Sequence, residues 1–109
     1  MANIYRNAKV DFTNTDNTTV YTSPSNSRAI VKSILVSDDS GSGDSINVTL
    51  TDASAAVFSL FKTKTIGSNA TTELITQPII LQESEILKAQ ATTAGRLHMV
   101  VSLLEINRD

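Results

Sequence analysis

The 109-residue sequence contains no cysteine, no tryptophan, two prolines and four glycines. Without cysteine the chain can form neither a disulfide framework nor a thiolate site. The glycines are too scattered for a glycine-rich phosphate loop. No apolar run is long enough to cross a membrane, and the opening segment MANIYRNAKVDF lacks the apolar stretch of a signal peptide. We therefore expect no membrane partner and no bound cofactor.

Charge of either sign is sparse and dispersed. Nine lysines and arginines stand against eleven aspartates and glutamates, for a net charge of −2. The basic residues occur singly, so no patch suited to a phosphate backbone is visible, and nucleic acid is not an expected partner. A chain of 11.7 kDa buries roughly 65% of its unfolded surface, enough for one core. We expect a single domain over residues 1–109.

Short runs of alternating apolar and polar residues fill most of the chain. In the last run, RLHMVVSLLEI, residues Leu97, Met99, Val101 and Leu103 fall on one face. A period of two over this length predicts a β-strand with one buried face. Threonine suits exposed strand faces, and asparagine and serine suit turns. No segment has helical periodicity, so the sequence predicts an all-β protein.

The segment Arg28–Ser37 is apolar on both sides. Strict alternation places Ile30, Ile34 and Val36 on one face, and Val31 and Leu35 on the other. A strand of this kind is usually central in a sheet or covered by a neighbouring chain.

Alternation also predicts the orientation of aromatic residues. Val10 and Phe12 point inward from an early strand. In the strand Ala56–Thr65, Phe58 and Leu60 point inward, while Phe61 lies on the opposite side.

About eight strands follow at the spacing expected of sandwiches. The predicted fold is an antiparallel β-sandwich of the jelly-roll kind, in which doubled sheets limit the exposed edges. A seven-stranded immunoglobulin-like sandwich with different connectivity is the rival. Residues 1–7 form either an extended arm or a first edge strand. An arm could add a strand to a partner's sheet, and a frayed terminus is the simpler alternative.

Three segments, VYTSPSNSRAIVKSILVSDD, INVTLTDAS and PIILQESEILKAQATTAGRLHMVVSLLEI, together resemble small β-sandwich virion structural proteins of tailed bacteriophages. Members of that group carry Tyr-Thr-x-Pro before an apolar strand and end on a strand that closes with Glu-Ile. The resemblance covers most of the chain from Thr18 onward, and the matching positions are Tyr21–Pro24, Ala29–Ser37, Ile46–Leu50, Leu81–Gln90 and Leu97–Ile106. Two turns, at residues 25–28 and 82–85, lack the glycine of the pattern.

The resemblance implies a location in the virion, after assembly in the bacterial cytoplasm. It implies a capsid decoration, neck, tail or baseplate component without saying which. Its expected partners are further copies of itself and the major capsid protein or other virion proteins. A trimer is expected because closed oligomers suit local symmetry axes.

No catalytic constellation can be assembled from the sequence. His98 is the single histidine, and neither a cysteine nor a Gly-x-Ser-x-Gly elbow accompanies it. As a zinc ligand, His98 would have no second histidine and no cysteine to complete the site. Glu83, Glu85 and Glu105 could form a pair of acids for glycoside cleavage, but that mechanism also needs a groove lined by aromatic residues. We therefore expect no enzymatic activity.

The loop DDSGSGD offers oxygen atoms at alternate positions, from Asp38, Ser40, Ser42 and Asp44. A calcium loop of the EF-hand type also needs a later bidentate acid and flanking helices, which the sequence lacks. A mobile hairpin connection is therefore the expected structure, with no metal.

Contact with other proteins remains the expected mode of action. Aromatic residues are enriched at the centres of interfaces. The candidate contact residues are Ile4, Tyr5, Tyr21, Phe61 and His98. We expect a capsid decoration or cement protein that stabilises the shell. The alternatives are a neck, tail or baseplate component and a carbohydrate-binding module, although the latter usually presents an exposed aromatic platform.

Overall fold

Alternating side chains and polar turns divide the chain into short extended segments. The computed structural model describes residues 2–108, and that range contains β-strands and no helix. In chain order the strands are β1 (Ala2–Asp11), β2 (Thr18–Thr22), β3 (Ser27–Asp38), β4 (Asp44–Thr51), β5 (Val57–Ile66), β6 (Thr71–Glu73), β7 (Ile79–Leu81), β8 (Ile86–Ala91) and β9 (Leu97–Asn107). Within residues 2–108 no helix is present that could cross a membrane.

The strands form two antiparallel sheets. Sheet A has the order β1-β9-β3, with β6 and β7 both paired to the far side of β3, and sheet B has the order β2-β8-β4-β5. Strands β6 and β7 are two halves of one strand position, interrupted before Pro78, because proline cannot donate to a ladder.

When β6 and β7 are counted as one strand position, the first position pairs with the last, the second with the seventh, the third with the sixth and the fourth with the fifth. These pairs are β1–β9, β2–β8, β3–β6/β7 and β4–β5. This is one long hairpin wrapped into a two-layer jelly roll. The predicted all-β jelly-roll sandwich is therefore confirmed, with nine strands in residues 2–108 against about eight expected.

The core lies between the two sheets and is almost entirely aliphatic. Strand β9 contributes Leu97, Met99, Val101 and Leu103, all buried, as the alternation predicted. Sheet B contributes a smaller set from β4 and β8, led by Ile46, Val48, Leu87 and Ala89. Because each strand buries only alternate residues, the other faces of both sheets remain available for contact.

The predicted orientation within β3 is wrong at one position. Val31 pairs with Leu103 but Ser33 pairs with Ser102, so Lys32 is an extra residue in β3. This β-bulge reverses the alternation at that point. Val31 therefore joins Ile34 in the core, and Ile30 shares the outside with Leu35.

A second irregularity corrects the prediction for β5. Val48 pairs with Phe61 and Thr49 pairs with Ser59, so Leu60 is unpaired opposite β4. Leu60 and Phe61 both pack against the core, and Phe61 is not on the opposite side as predicted. Phe58, predicted to point inward, is exposed near the end of the β4–β5 hairpin.

The beginning of the chain is an edge strand. Residues 2–7, which belong to the segment predicted to be an arm or an edge strand, are part of β1. Strand β1 pairs with β9 along its whole length without a register shift. Met1 lies outside the described residues.

Candidate functional site

The outer face of sheet A, which points away from the core, carries apolar side chains in two rows, with polar residues between and around them. Four of its side chains are substantially exposed: Tyr5 (76%), Ile80 (49%), Leu35 (39%) and Val100 (38%). Three more, Ile30, Leu104 and Ile106, are half-buried. Isolated exposed apolar residues are ordinary, but a contiguous group on one face marks a contact surface.

Strand register places these residues in rows across the sheet. Tyr5 pairs with Leu104, Leu104 with Ile30, and Ile30 with Ile80, so one apolar row crosses β1, β9, β3 and β7. With about 4.8 Å between neighbouring strands, the row spans roughly 14 Å. Directly opposed side chains on one face pack against one another, so the row is a continuous ridge.

A second row carries a charge at each end. Val100 and Leu35 are opposite one another, with Lys9 beyond Val100 and Glu73 beyond Leu35. Glu73 is partly engaged at the β3 bulge, where its Oε2 accepts a hydrogen bond from the Ile34 amide at 2.7 Å. The row therefore combines an apolar centre with a charged rim, which is the usual composition of a protein interface.

Lys32 lies beside Tyr5, the exposed aromatic residue of this face. Lys32, the extra residue of β3, has its Nζ 5.8 Å from the centroid of the Tyr5 ring. The geometry is that of a cation–π contact, in which the ammonium group stays in water above the ring. Tyr5 is thus held on the surface, and not folded against the core.

The outer face of sheet B has a different composition. Polar side chains line a shallow depression there, formed by Asn47, Thr49, Ser59, Lys62 and Gln90. Val57, 64% exposed, also lies on this face, but paired rows of apolar residues like those of sheet A are not formed around the depression.

The residues predicted from sequence as contact residues do not form one surface. Tyr5 lies on the outer face of sheet A, whereas Ile4 is its neighbour on the inward side of β1 and is half-buried. Phe61 and Tyr21 pack against the core. His98 is half-exposed, with its Nε2 3.2 Å from Asp11 Oδ1 and its Nδ1 3.5 Å from Asp39 Oδ2. Their role as contact residues stays a prediction.

Tyr21 takes part in a contact that links the two sheets. Its hydroxyl donates to Glu105 Oε1 at 2.6 Å, and Arg6 Nε lies 3.2 Å from the same oxygen. Burial, reinforced by the hydrogen bond to Glu105, raises the pKa of Tyr21 above its usual range. This polar cluster, in which Glu105 is buried and Arg6 is exposed, joins β2 of sheet B to β1 and β9 of sheet A.

The other two glutamates considered for catalysis are also engaged in local contacts. Glu83 accepts two hydrogen bonds from Arg108, at 2.7 and 3.0 Å, and these lower the pKa of Glu83. Glu85 Oε1 accepts from the Gln82 amide across a turn at 2.8 Å. Each of the three glutamates therefore has a structural partner.

The loop after β3 is held by one buried carboxylate. Asp38 Oδ1 accepts from the amide and the hydroxyl of Ser40, at 3.0 and 2.5 Å, and Oδ2 accepts from the amides of Gly43 and Asn69, at 2.8 and 3.1 Å. Gly43 has φ +72°, and a Cβ there would lie 3.2 Å from the Ile66 carbonyl, so the turn requires glycine.

These contacts occupy the carboxylate that the sequence offered as a calcium ligand. Within residues 2–108 no group of three or more potential metal-binding acidic, histidine or cysteine side chains is brought together.

Hydrogen bonds from Ser40, Gly43 and Asn69 hold the pKa of Asp38 well below its usual range. The contribution of Asp38 to stability is therefore complete above its unfolded pKa of about 4, and is lost as the pH falls through the lower folded value.

We expect Asp38→Asn to lower the urea midpoint at pH 7, and the difference in midpoint from the unmodified protein to shrink from about pH 4 downward. Urea titrations at several pH values measure this, with Asp16→Asn, in an exposed turn, as control. A difference that is constant with pH would contradict the assignment.

Sequence reasoning missed most of the outer face of sheet A. Leu35, Ile80, Val100 and Leu104 were not identified as contact residues. Apolar doublets such as Val100–Val101 and Leu103–Leu104 were the available signal, because strict alternation cannot bury both members of a doublet in one core.

No protein-family model matches the sequence. No curated protein matches it either.

Solved structures, in contrast, share the fold. A chain from the acid-stable capsid of Helicobacter pylori bacteriophage KHP30 aligns with a TM-score of 0.60 and 13% identity, over 97% of this chain and 89% of that chain. A subunit of the disulfide-linked pili that form Bacillus endospore appendages aligns with a TM-score of 0.57 and 9% identity, over 98% and 89% of the two chains. A pentameric capsid protein from metagenomic phage sequences aligns with a TM-score of 0.46 and 13% identity, over 92% and 58%. The structural neighbours thus include phage capsid proteins, and the predicted resemblance to β-sandwich virion proteins is confirmed for the fold.

Proposed function

We propose that this chain is a non-enzymatic structural protein of a phage virion, and that it acts as a capsid decoration or cement protein. The observation that carries the proposal is the exposed apolar face of sheet A on a jelly-roll sandwich. That face has the apolar centre and charged rim of an interface. The similar fold of a phage capsid chain supports the virion as its location.

Contact is the activity that this arrangement serves best. The three glutamates considered for acid–base chemistry are bound by Tyr21 and Arg6, by Arg108, or by a turn amide. Glu83 also lines a surface pocket with Arg28 and Arg108, but its carboxylate is already bound by Arg108. A rigid sandwich with one apolar face can instead dock repeatedly on a symmetric shell, where many weak contacts add through effective concentration.

Pilus-like assembly is less well supported, although a pilus subunit shares the fold. That subunit comes from disulfide-linked pili, whereas the 109 residues of this chain contain no cysteine and cannot form such links. Any assembly of these 109 residues must therefore form without disulfide links. Further copies of the chain and the major capsid protein are the proposed partners, and the trimer stays a prediction from sequence.

The test is the copy number of this chain in purified particles, measured by quantitative mass spectrometry against labelled peptides. A decoration protein should be present at on the order of hundreds of copies, because it repeats on the lattice of the shell. Roughly a dozen copies or fewer would place it in the neck, tail or baseplate and contradict the decoration role. Absence from the particle would overturn the virion role altogether.

A further inference from the structure

Strand β1 is a long, open sheet edge. It has ten residues, without proline, glycine or a register shift, and β9 pairs with only one of its sides. The Phe12 amide donates to the Leu97 carbonyl of β9, at 3.1 Å, and so continues the same register. Because the backbone groups of successive strand residues point to opposite sides, Asn3, Tyr5, Asn7, Lys9 and Asp11 direct theirs to the open side.

The other three edges of the sandwich are interrupted. Strand β2 has five residues and a register shift, and β5 has two shifts and Thr63 at φ +55°. The β6–β7 edge is broken before Pro78. Bulges, prolines, short lengths and charged side chains are the usual protection against edge-to-edge pairing, and β1 has only the charges, at Arg6, Lys9 and Asp11. Among residues 2–108, β1 alone combines length with a regular ladder, and this contrast singles it out as a pairing edge.

We propose that β1 pairs with β1 of a second copy of this chain, antiparallel, about a two-fold axis normal to sheet A and with Asn7 opposite Asn7. In this register all five outward-directed residues find a hydrogen-bonding partner. Asn3 faces Asp11, Tyr5 faces Lys9, and Asn7 faces itself. The interface is isologous, as a two-fold contact requires.

Only a centre on Asn7 keeps the partners of all five outward-directed residues within β1, and charge disfavours two of the other registers. A shift that centres the pair on residue 6 places Arg6 opposite Arg6, and a centre on residue 9 places Lys9 opposite Lys9. Like charges directly opposed on two strands are destabilising. With the centre on Asn7, Arg6 faces Ala8 and Ile4 faces Val10, so no like charges meet.

The pairing has a consequence for the apolar face. It joins two copies of sheet A into one continuous sheet, with both outer faces on the same side of it, because the axis is normal to the sheet. Because Tyr5 faces Lys9, the ridge that begins at Tyr5 then continues into the row Lys9–Val100–Leu35 of the other copy. The inference stands on the edge itself and does not depend on the proposed virion role.

Cross-linking tests the register directly, because the chain has no native cysteine. In the proposed dimer the two residues at position 7 have Cα atoms about 5.5 Å apart, within the range that a disulfide spans. The two residues at position 3 are about 27 Å apart. Under mild oxidation Asn7→Cys should become mostly covalent dimer. Asn3→Cys, the same substitution on the same face of the strand, should stay monomeric. Equal cross-linking of both variants, or none of either, would overturn the register.

A second variant tests the pairing without a cross-link. The backbone N–H of Asn7 points to the open side, so Asn7→Pro removes both hydrogen bonds of the central pair, one from each copy, and none of the ladder to β9. Light scattering should give twice the 11.7 kDa mass for the unmodified chain and the monomer mass for Asn7→Pro, with unchanged circular dichroism. A strict monomer at about 1 mM, a trimer, or a dimer that survives Asn7→Pro would overturn the proposal. A dimer that is dissociated by Leu35→Asp and not by Asn7→Pro would also overturn the proposal, because that result would assign the contact to the outer face of sheet A.

Discussion

Replacing Phe12 with alanine should lower the free energy of unfolding by about 3–5 kcal/mol. Phe12 follows β1, is 2% exposed, and is among the largest side chains in the core between the sheets. Its removal loses the transfer free energy of the ring and leaves a cavity that close-packed neighbours fill only in part. In a domain of about this size each kcal/mol corresponds to roughly 4–8 °C in Tm, so the variant should melt far below the unmodified protein.

Phe58→Ala is the matched control for this prediction. The Phe58 side chain is 54% exposed near the end of the β4–β5 hairpin. Its truncation should change stability by about 0.5 kcal/mol or less, as is usual for surface positions. Urea denaturation of both variants, monitored by circular dichroism, gives the two values. Equal losses would contradict the orientation assigned to both phenylalanines.

The second large effect concerns assembly. Leu35→Asp combined with Val100→Asp places two carboxylates side by side at the centre of the outer face of sheet A. If that face docks on the shell, both charges must be desolvated without partners, and binding to particles that lack this protein should weaken by about 100-fold or more. Both side chains already point away from the core, so folding should be retained.

Thr49→Asp combined with Ser59→Asp is the control, because these two paired residues lie on the outer face of sheet B. It introduces the same two charges on neighbouring strands, and binding should change less than about threefold. Co-sedimentation of labelled protein with particles measures both affinities, and thermal melts verify folding. Normal binding by the sheet A variant, with loss in the sheet B variant, would move the docking surface to the other side of the sandwich.

The alternation of apolar and polar residues predicted the orientation of side chains correctly in some strands and wrongly in others. Alternation in β9 identified the buried residues Leu97, Met99, Val101 and Leu103, because one regular strand against one core obeys a period of two. It failed at Val31 and at Phe61, where the partner strands impose an extra residue. A bulge is a property of two paired strands, and neither strand carries it in its own sequence.

The candidate contact surface was also only partly predictable. Tyr5 was identified because aromatic residues are enriched at interface centres, and β3 was identified as apolar on both sides. The row that joins Tyr5, Leu104, Ile30 and Ile80 draws one residue from each of four strands that are far apart in the chain. Tyr21 was chosen on the same grounds as Tyr5, but pairing of β2 with β8 turns it toward Glu105.

By itself the sequence determined an all-β sandwich and excluded cysteine chemistry, because composition and side-chain periodicity are local properties of the chain. Only the tertiary structure decided which face of β3 stays uncovered and which sheet edge remains open. Those features depend on pairing between distant strands, where a shift of one residue exchanges the buried and exposed faces.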